Sequence, residues 1–395
     1  MFEKLKKTCK VSSLHYKSYA TTATIPARDW NCISKDHFFL SLTYLRAIED
    51  SLSRTIDFKY LIFYSEKTPV AIAATQLLKF NTTEITLAEF PFTISETLGN
   101  KIIQNLDVSV LVCGSLFSCG EHGFAFSDQI TAKDAYGLLA KTLRELRKNE
   151  SEDKPSFLLL KEFWPASTIE SDALLNQKFR PVHIDVNMVL SMQASWHSFE
   201  EYLASMKTKF RTRAKKVLSS SEELEVKDFT HHTIAEHKDQ INKLYLSVIE
   251  NADFKVAQLS ADTFRIVKEA LGDTYVFKGY FLKGELVGFS TAFILNDAIE
   301  ANHIGVNYSY NVSHAIYQRM LYDYVDLAIK KQVKSLRLGR TAELIKSSVG
   351  AEAVEMRLYV RHGNTISNKL LKPMVSLVQP SAYEIRTPFK KQART

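Results

Sequence analysis

The residues with the most chemistry to offer lie between positions 300 and 317. Residues 300–307, EANHIGVN, read as a β-strand with a histidine at its middle. Strand alternation puts Glu300, Asn302, Ile304 and Val306 on one face, and Ala301, His303, Gly305 and Asn307 on the other. A histidine, whose ordinary pKa lies near neutrality, can take a proton from a reacting group. His303 is therefore the candidate base; its plainer reading is a core histidine bonded to backbone. Gly305 either lets a ligand approach the backbone or marks a bulge. Tyr308, Tyr310 and His314 follow at the mouth of a helix predicted from a Ser313 cap to about Lys331. A helix N-terminus favours anions. These side chains suit a thioester, a phosphate or a departing thiolate, with Tyr308 as candidate acid; otherwise they form a turn whose aromatics pack on the core.

A second group follows a short predicted strand. Gly339, Arg340, Thr341 and Lys346 make a tight turn with two cations, able to neutralise a donor phosphate or an acceptor carboxylate, or simply surface charge. A third lies at 196–217, where Tyr202, Leu203, Met206, Phe210, Ala214 and Val217 share one helical arc. Two basic stripes border it, Lys207–Arg211–Lys215 and Lys209–Arg213–Lys216. Arg211 and Lys215 suit phosphates of CoA, tRNA or a carrier protein. The same pattern fits an anionic membrane surface or a helix docked by its apolar seam.

Other reactive residues carry less. Cys9, Cys32, Cys113 and Cys119 include no CxxC pair, which suggests a reducing compartment. Cys113 and Cys119 have only His122 as a local base, so no catalytic thiol is expected. His231, His232 and His237 lack a fourth ligand at metal spacing and read as exposed loop residues.

The elements that must position these residues are short and mixed. Helices are predicted at 38–50, 131–146, 245–249 and 260–271; strands at 60–64, 70–78, 108–113, 157–161, 274–282, 286–295, 335–339 and 355–360. Both halves run helix, hairpin, strand, helix, strand, which suggests two related α/β units. With 395 residues, 45% apolar and 24% charged, the chain can bury a full core. Its net charge of +7 suits an anionic ligand or membrane surface and does not indicate a DNA-binding protein. No apolar run reaches the length of a bilayer span, and the start lacks the apolar region of a signal peptide.

The order of elements over 274–360 resembles the GCN5-related N-acetyltransferase (GNAT) fold. Two such units around a basic helical stretch resemble the FemABX and FemAB-like group, once named for peptidoglycan biosynthesis and recognition. The likeness is carried by 30–33 with 39–49, by Cys113-Gly-Ser-Leu-Phe-Ser-Cys-Gly120, by 199–215, and above all by Leu338-Gly-Arg-Thr-Ala-Glu-Leu-Ile-Lys-Ser-Ser-Val-Gly350. It implies an α/β protein with a mixed sheet: a divergent GNAT-like unit at 1–190, a basic helical connector at 191–222, and a unit at 223–395 with the active site. GNAT enzymes that use acetyl-CoA often carry a Q/R-x-x-G-x-G/A loop before the long helix. Here 307–315 reads NYSYNVSHA, with no glycine.

The resemblance implies a cytoplasmic bacterial N-acyltransferase, possible at the inner membrane face as a peripheral protein. Acyl-CoA or acyl carrier protein would be the co-substrate, with no permanently bound cofactor and no metal. The acyl group, expected to be fatty, would pass to a small-molecule or lipid amine, as in ceramide-like synthesis. His303 and Tyr308 would be catalytic; Gly305, Asn307, Tyr310, His314, Tyr317, Gly339, Arg340, Thr341, Lys346, Arg211 and Lys215 would bind donor or acceptor. Two alternatives stand beside this: FemX-like aminoacyl-tRNA-dependent transfer to a peptidoglycan precursor, and a GNAT pair that binds ligand without turnover.

Overall fold

The computed structural model describes residues 14–81, 107–149, 154–250, 259–376 and 384–390. Cys9 and the start of the chain lie outside them. By contacts the chain divides into two units, Met1–Ile184 with Glu355–Pro380, and Asp185–Val354 with Ser381–Thr395.

The first unit opens with β1 (Leu14–Tyr19), α1 (Ala27–Ser34) and α2 (Leu42–Leu52). A hairpin follows, β2 (Asp57–Ser65) and β3 (Thr68–Asn81), then β4 (Asp107–Cys113) and β5 (Phe124–Phe126). Helix α3 (Ala132–Asn149) is capped by Thr131, whose hydroxyl accepts from the Asp134 N–H at 3.1 Å. It leads to β6 (Phe157–Phe163) and β7 (Arg180–Ser191), the latter passing into the second unit. Strand order is β1-β2-β3-β4-β6-β13, where β13 (Glu352–His362) enters from the far end of the sequence. Only β4 and β6 run parallel among these neighbours. Leu139, Ala140 and Leu143 bury the apolar stripe of α3 on the sheet, against Leu111, Leu158 and Leu160.

The second unit contains α4 (Phe199–Ser205), α5 (Thr208–Ser220) and β8 (Glu225–Asp228). Next come α6 (His231–Glu236), α7 (Lys238–Ile249) and α8 (Ala261–Leu271), then the hairpin β9 (Tyr275–Leu282) and β10 (Glu285–Ile294). Lys283 and Gly284 take the left-handed conformation at its turn, as a two-residue hairpin requires. Then follow β11 (Ala298–Val306), α9 (Tyr308–His314), α10 (Ile316–Lys330), β12 (Ser335–Arg337) and α11 (Glu343–Ser348). Strand order is β7-β12-β11-β10-β9-β8, with β11 and β12 parallel. Helix α12 (Thr365–Ser376) follows β13. Among the described residues no helix is long and apolar enough to cross a membrane.

Three expectations change. Residues 355–380 pack with the first unit, not with 223–395, because β13 pairs with β6. The basic stretch is no separate connector. It is two helices broken at Met206 and Lys207, both extended, and its seam (Tyr202, Leu203, Met206, Ala214, Val217) lies in the second unit's core. His231 and His232 sit on a helix rather than a loop, with His237 at the turn that ends it; among the described residues no three His, Cys, Asp or Glu side chains gather as metal ligands would.

Candidate active site

In the second unit β11 and β12 pair over three positions only, Ala298 with Ser335 to Glu300 with Arg337. Then they part. Leu338 and Gly339 turn to β7, the Leu338 N–H donating to the Met188 carbonyl at 2.8 Å and the Met188 N–H to the Gly339 carbonyl at 3.0 Å. Strand β11 runs on beside β10, with a bulge between the Ser290–Ile304 and Ala292–Ala301 pairs. Thr291 sits at that bulge: its hydroxyl accepts from the His303 N–H (2.8 Å) and donates to the His303 carbonyl (2.9 Å).

The bulge overturns the expected alternation, since an extra residue shifts every side chain beyond it to the opposite face. Ala301 packs with Leu321, Tyr324 and Val325 of α10, whereas Ile304 and Val306 also join α10, through Ile316 and Met320. His303 instead faces α7 and α8, its ring 5.8 Å from Tyr245 and 5.7 Å from Phe264. Gly305 lies on that same face, where a Cβ would strike Phe289 and Leu244. Close packing by protein explains this glycine. Burial pushes the His303 imidazole down to about 4, so it is neutral at neutral pH and a weak base.

At the point of parting lies a pair that the sequence reading left outside the site. Glu300 is buried at 2% exposure, and the Arg337 guanidinium stands 3.8 Å from its carboxylate. The available signal was an acid in an otherwise apolar strand, Ala298-Ile-Glu-Ala, facing a strand with an arginine. Beyond the bulge, the Asn307 N–H donates to Val287 and the His303 backbone meets Thr291. Alternation then directs the amides of Ile304 and Val306 away from β10, to the side that β12 has left.

The helix after β11 also departs from expectation. Asn307 caps the short α9, its side chain accepting from the Ser309 N–H at 3.1 Å. Ala315 then takes a left-handed conformation (φ 48°) and α10 starts afresh at Ile316. Ser313 does not cap it; its hydroxyl bonds the Tyr310 carbonyl and His314 Nδ1. The Asn311 side chain instead accepts from the Tyr317 N–H at 2.9 Å, filling part of the helix end where a diphosphate would sit.

Of the aromatics, Tyr308 is 48% exposed and Tyr310 packs toward the β9–β10 core. Tyr317 is the better placed. Burial raises its phenol well above the ordinary value, and the nearby charges of Tyr308 and Glu343 raise it further. It thus stands within electrostatic reach of the starts of both α9 and α11, protonated at neutral pH.

Between β12 and α11, Gly339, Thr341 and Ala342 all have positive φ (73°, 62° and 54°). For a β-branched threonine that is a strained conformation. Lys346, read as an anion contact, is buried and donates to the Arg340 carbonyl, so it holds this loop. Helix α5 packs beside α9 and α10. Arg211 is half-buried and reaches the Met206 carbonyl at 3.5 Å, while Lys215 is exposed.

The first unit has its own parting, after Cys113 pairs with Leu160. Here the ammonium of buried Lys161 donates to the Ser115 and Ser118 carbonyls, each at 2.6 Å, with Glu162 at 3.5 Å. Glu162 accepts from the Gly120 N–H at 2.8 Å. Cys113 is buried, its thiol pushed up to about 12 and donating to the Gly123 carbonyl, so it is no thiolate.

No protein-family model matches this sequence, and no curated protein matches it. Solved structures do. FemX matches with a TM-score of 0.53 at 9% identity, covering 87% of this chain and 96% of that one. A tandem GNAT protein from the clavulanic acid biosynthesis pathway matches at 0.52 and 9%, covering 89% and 99%. A conserved protein of unknown function from Bacteroides thetaiotaomicron matches at 0.50 and 11%, covering 88% and 99%. With two units that each pass from a hairpin through a strand and helix to a parallel strand that parts from it, and with these neighbours, the chain has the tandem GNAT fold.

Proposed function

We propose that the second unit joins an activated acyl group to an amine. The observation that carries this reading is the wedge itself: β11 and β12 part with buried Glu300 beside half-buried Arg337 at the apex, outward amides at Ile304 and Val306 on one arm, and Tyr317 in the first turn of the helix α10 that follows. The donor carbonyl would lie along β11, where preorganised amides stabilise the oxyanion. The amine nitrogen attacks, the carbon–nitrogen bond forms, and the leaving sulfur or oxygen departs with a proton from Tyr317. Alignment alone contributes up to about 7–11 kcal/mol to such a reaction. Because burial among aromatic rings makes His303 a weak base, the proton acceptor in this reading is Glu300, which stands at the apex of the wedge 3.8 Å from Arg337.

A carrier-bound donor fits better than one gripped by its diphosphate, because α10 begins without glycine and under the Asn311 cap. The first reading is a fatty acyl group on acyl carrier protein or CoA, passed to a lipid or small-molecule amine. The second is aminoacyl transfer from tRNA. It is favoured by α5, whose 13 residues include five Lys or Arg and no acid, as a phosphate backbone would require. Incubating the purified protein with each donor and a panel of amines tests both. Thiol release dependent on Tyr317 supports the first; aminoacyl-tRNA consumption without thiol release supports the second; binding without turnover with every donor defeats the transfer reading.

A further inference from the structure

A cavity of about 260 Å³ lies in the first unit beside the parting of β4 and β6. Phe124, Phe126, Tyr136 and Phe163 line it, with the carboxylates of Glu121 and Glu170. The rings cluster around Tyr136, which lies tilted to Phe124 at 5.4 Å between centroids and edge-on to Phe126 at 5.7 Å and to Phe163 at 5.9 Å. Burial raises the Tyr136 phenol, and the charges of Glu121 and then Glu170, which share the cavity wall with it, raise it further. The one lysine on the wall, Lys161, has its ammonium tied to two carbonyls and beside Glu162. Glu121 is oriented by the Ser167 hydroxyl, which donates to it at 2.6 Å.

From this lining we infer that the first unit binds an organic ammonium ion, the cation lodged against the aromatic cluster and neutralised by Glu121 and Glu170. Aromatic faces attract a poorly hydrated cation electrostatically, and carboxylates at the rim balance its charge. A neutral ligand of the same shape gains only the apolar contact. An anion is opposed by both carboxylates. The volume admits a head group or a small amine rather than a whole lipid or peptide. This site stands apart from the transfer chemistry proposed for the second unit, and either can fail without the other.

The test uses the full chain with n-butylammonium and choline, and with 1-butanol and 3,3-dimethylbutanol as neutral isosteres. Binding is read by saturation-transfer NMR and calorimetry. The ammonium ions should bind about tenfold or more tightly than their isosteres, the scale of a desolvated cation–aromatic contact. Glu170→Gln, at an exposed position that tolerates substitution, should reduce that preference severalfold, and Glu121→Gln should add to the loss. Phe126→Leu should weaken the ammonium ions and leave the alcohols unchanged. A lysophosphatidylethanolamine arm separates a lipid head group from a free amine as the source. Equal binding of cations and isosteres, a preference that survives both glutamate changes with unaltered melting temperatures, or no ammonium binding at all, would each overturn the inference.

Discussion

The two units part their central parallel strands at the same place in the fold and treat the opening differently. In the first, Lys161 and Glu162 reach across and bond the Ser115, Ser118 and Gly120 backbone. Those charged groups are consumed by the loop they stitch. In the second, buried Glu300 and half-buried Arg337 stand 3.8 Å apart, and the strand amides beyond them turn outward. Charge stitches the loop of one parting and stands at the apex of the other, and this contrast is why the reaction is proposed for the second unit.

The contrast can be broken by exchanging outcomes. Tyr317→Phe should lower the transfer rate by about 10²–10⁴, the usual contribution of a positioned acid, with little change in melting. A rate within threefold of the parent removes Tyr317 from the chemistry. Lys161→Met should do the reverse. It leaves Glu162 and two carbonyls without their cation, costing about 3–5 kcal/mol in urea unfolding, while any activity surviving in folded protein keeps its parent rate constant. A stable Lys161→Met protein would show that the first parting is not held by charge.

His303 gives a pH test of intermediate size. Its folded pKa, about 4, lies below the ordinary 6.5, so between those values the unfolded chain binds more protons than the folded one. Its stabilising contribution is therefore complete above pH 6.5 and is lost as pH falls towards 4. The upper bound is about 3 kcal/mol, reduced because the ring is only half-buried. His303→Phe should flatten the stability profile between pH 4 and 6.5 and leave the rate at pH 7.5 within about threefold. A large rate loss with intact folding would restore His303 as the base. The smallest effect belongs to Lys215→Ala on the exposed face of α5: stability within about 0.5 kcal/mol, but a raised KM for a polyphosphate donor that converges with the parent at high salt. An unchanged, salt-independent KM would remove α5 from donor binding.

Much of the architecture was legible because it is local. The apolar run 108–113, the hairpin over 274–295 and the apolar stripe of α10 are written in neighbouring side chains, as was the missing glycine before α10. The candidate site was legible as elements, a strand through 300–306 and a tight turn at 339–342. Roles within it were not. His303 and Lys346 had the right chemistry by type, but the aromatic rings of α7 and α8 and the Arg340 carbonyl decide what each can do.

Sequence by itself therefore determined the succession of strands and helices, the repeated α/β grammar and the absence of a standard diphosphate loop, since these follow from periodicity and from which residues can adopt a given backbone. Only the tertiary structure decided that β13 crosses back to the first unit, that a bulge at Thr291 reverses the faces of β11, and that Glu300 meets Arg337. Strand pairing and buried charge are long-range matters: their energies depend on partners distant in the chain, which no local pattern encodes.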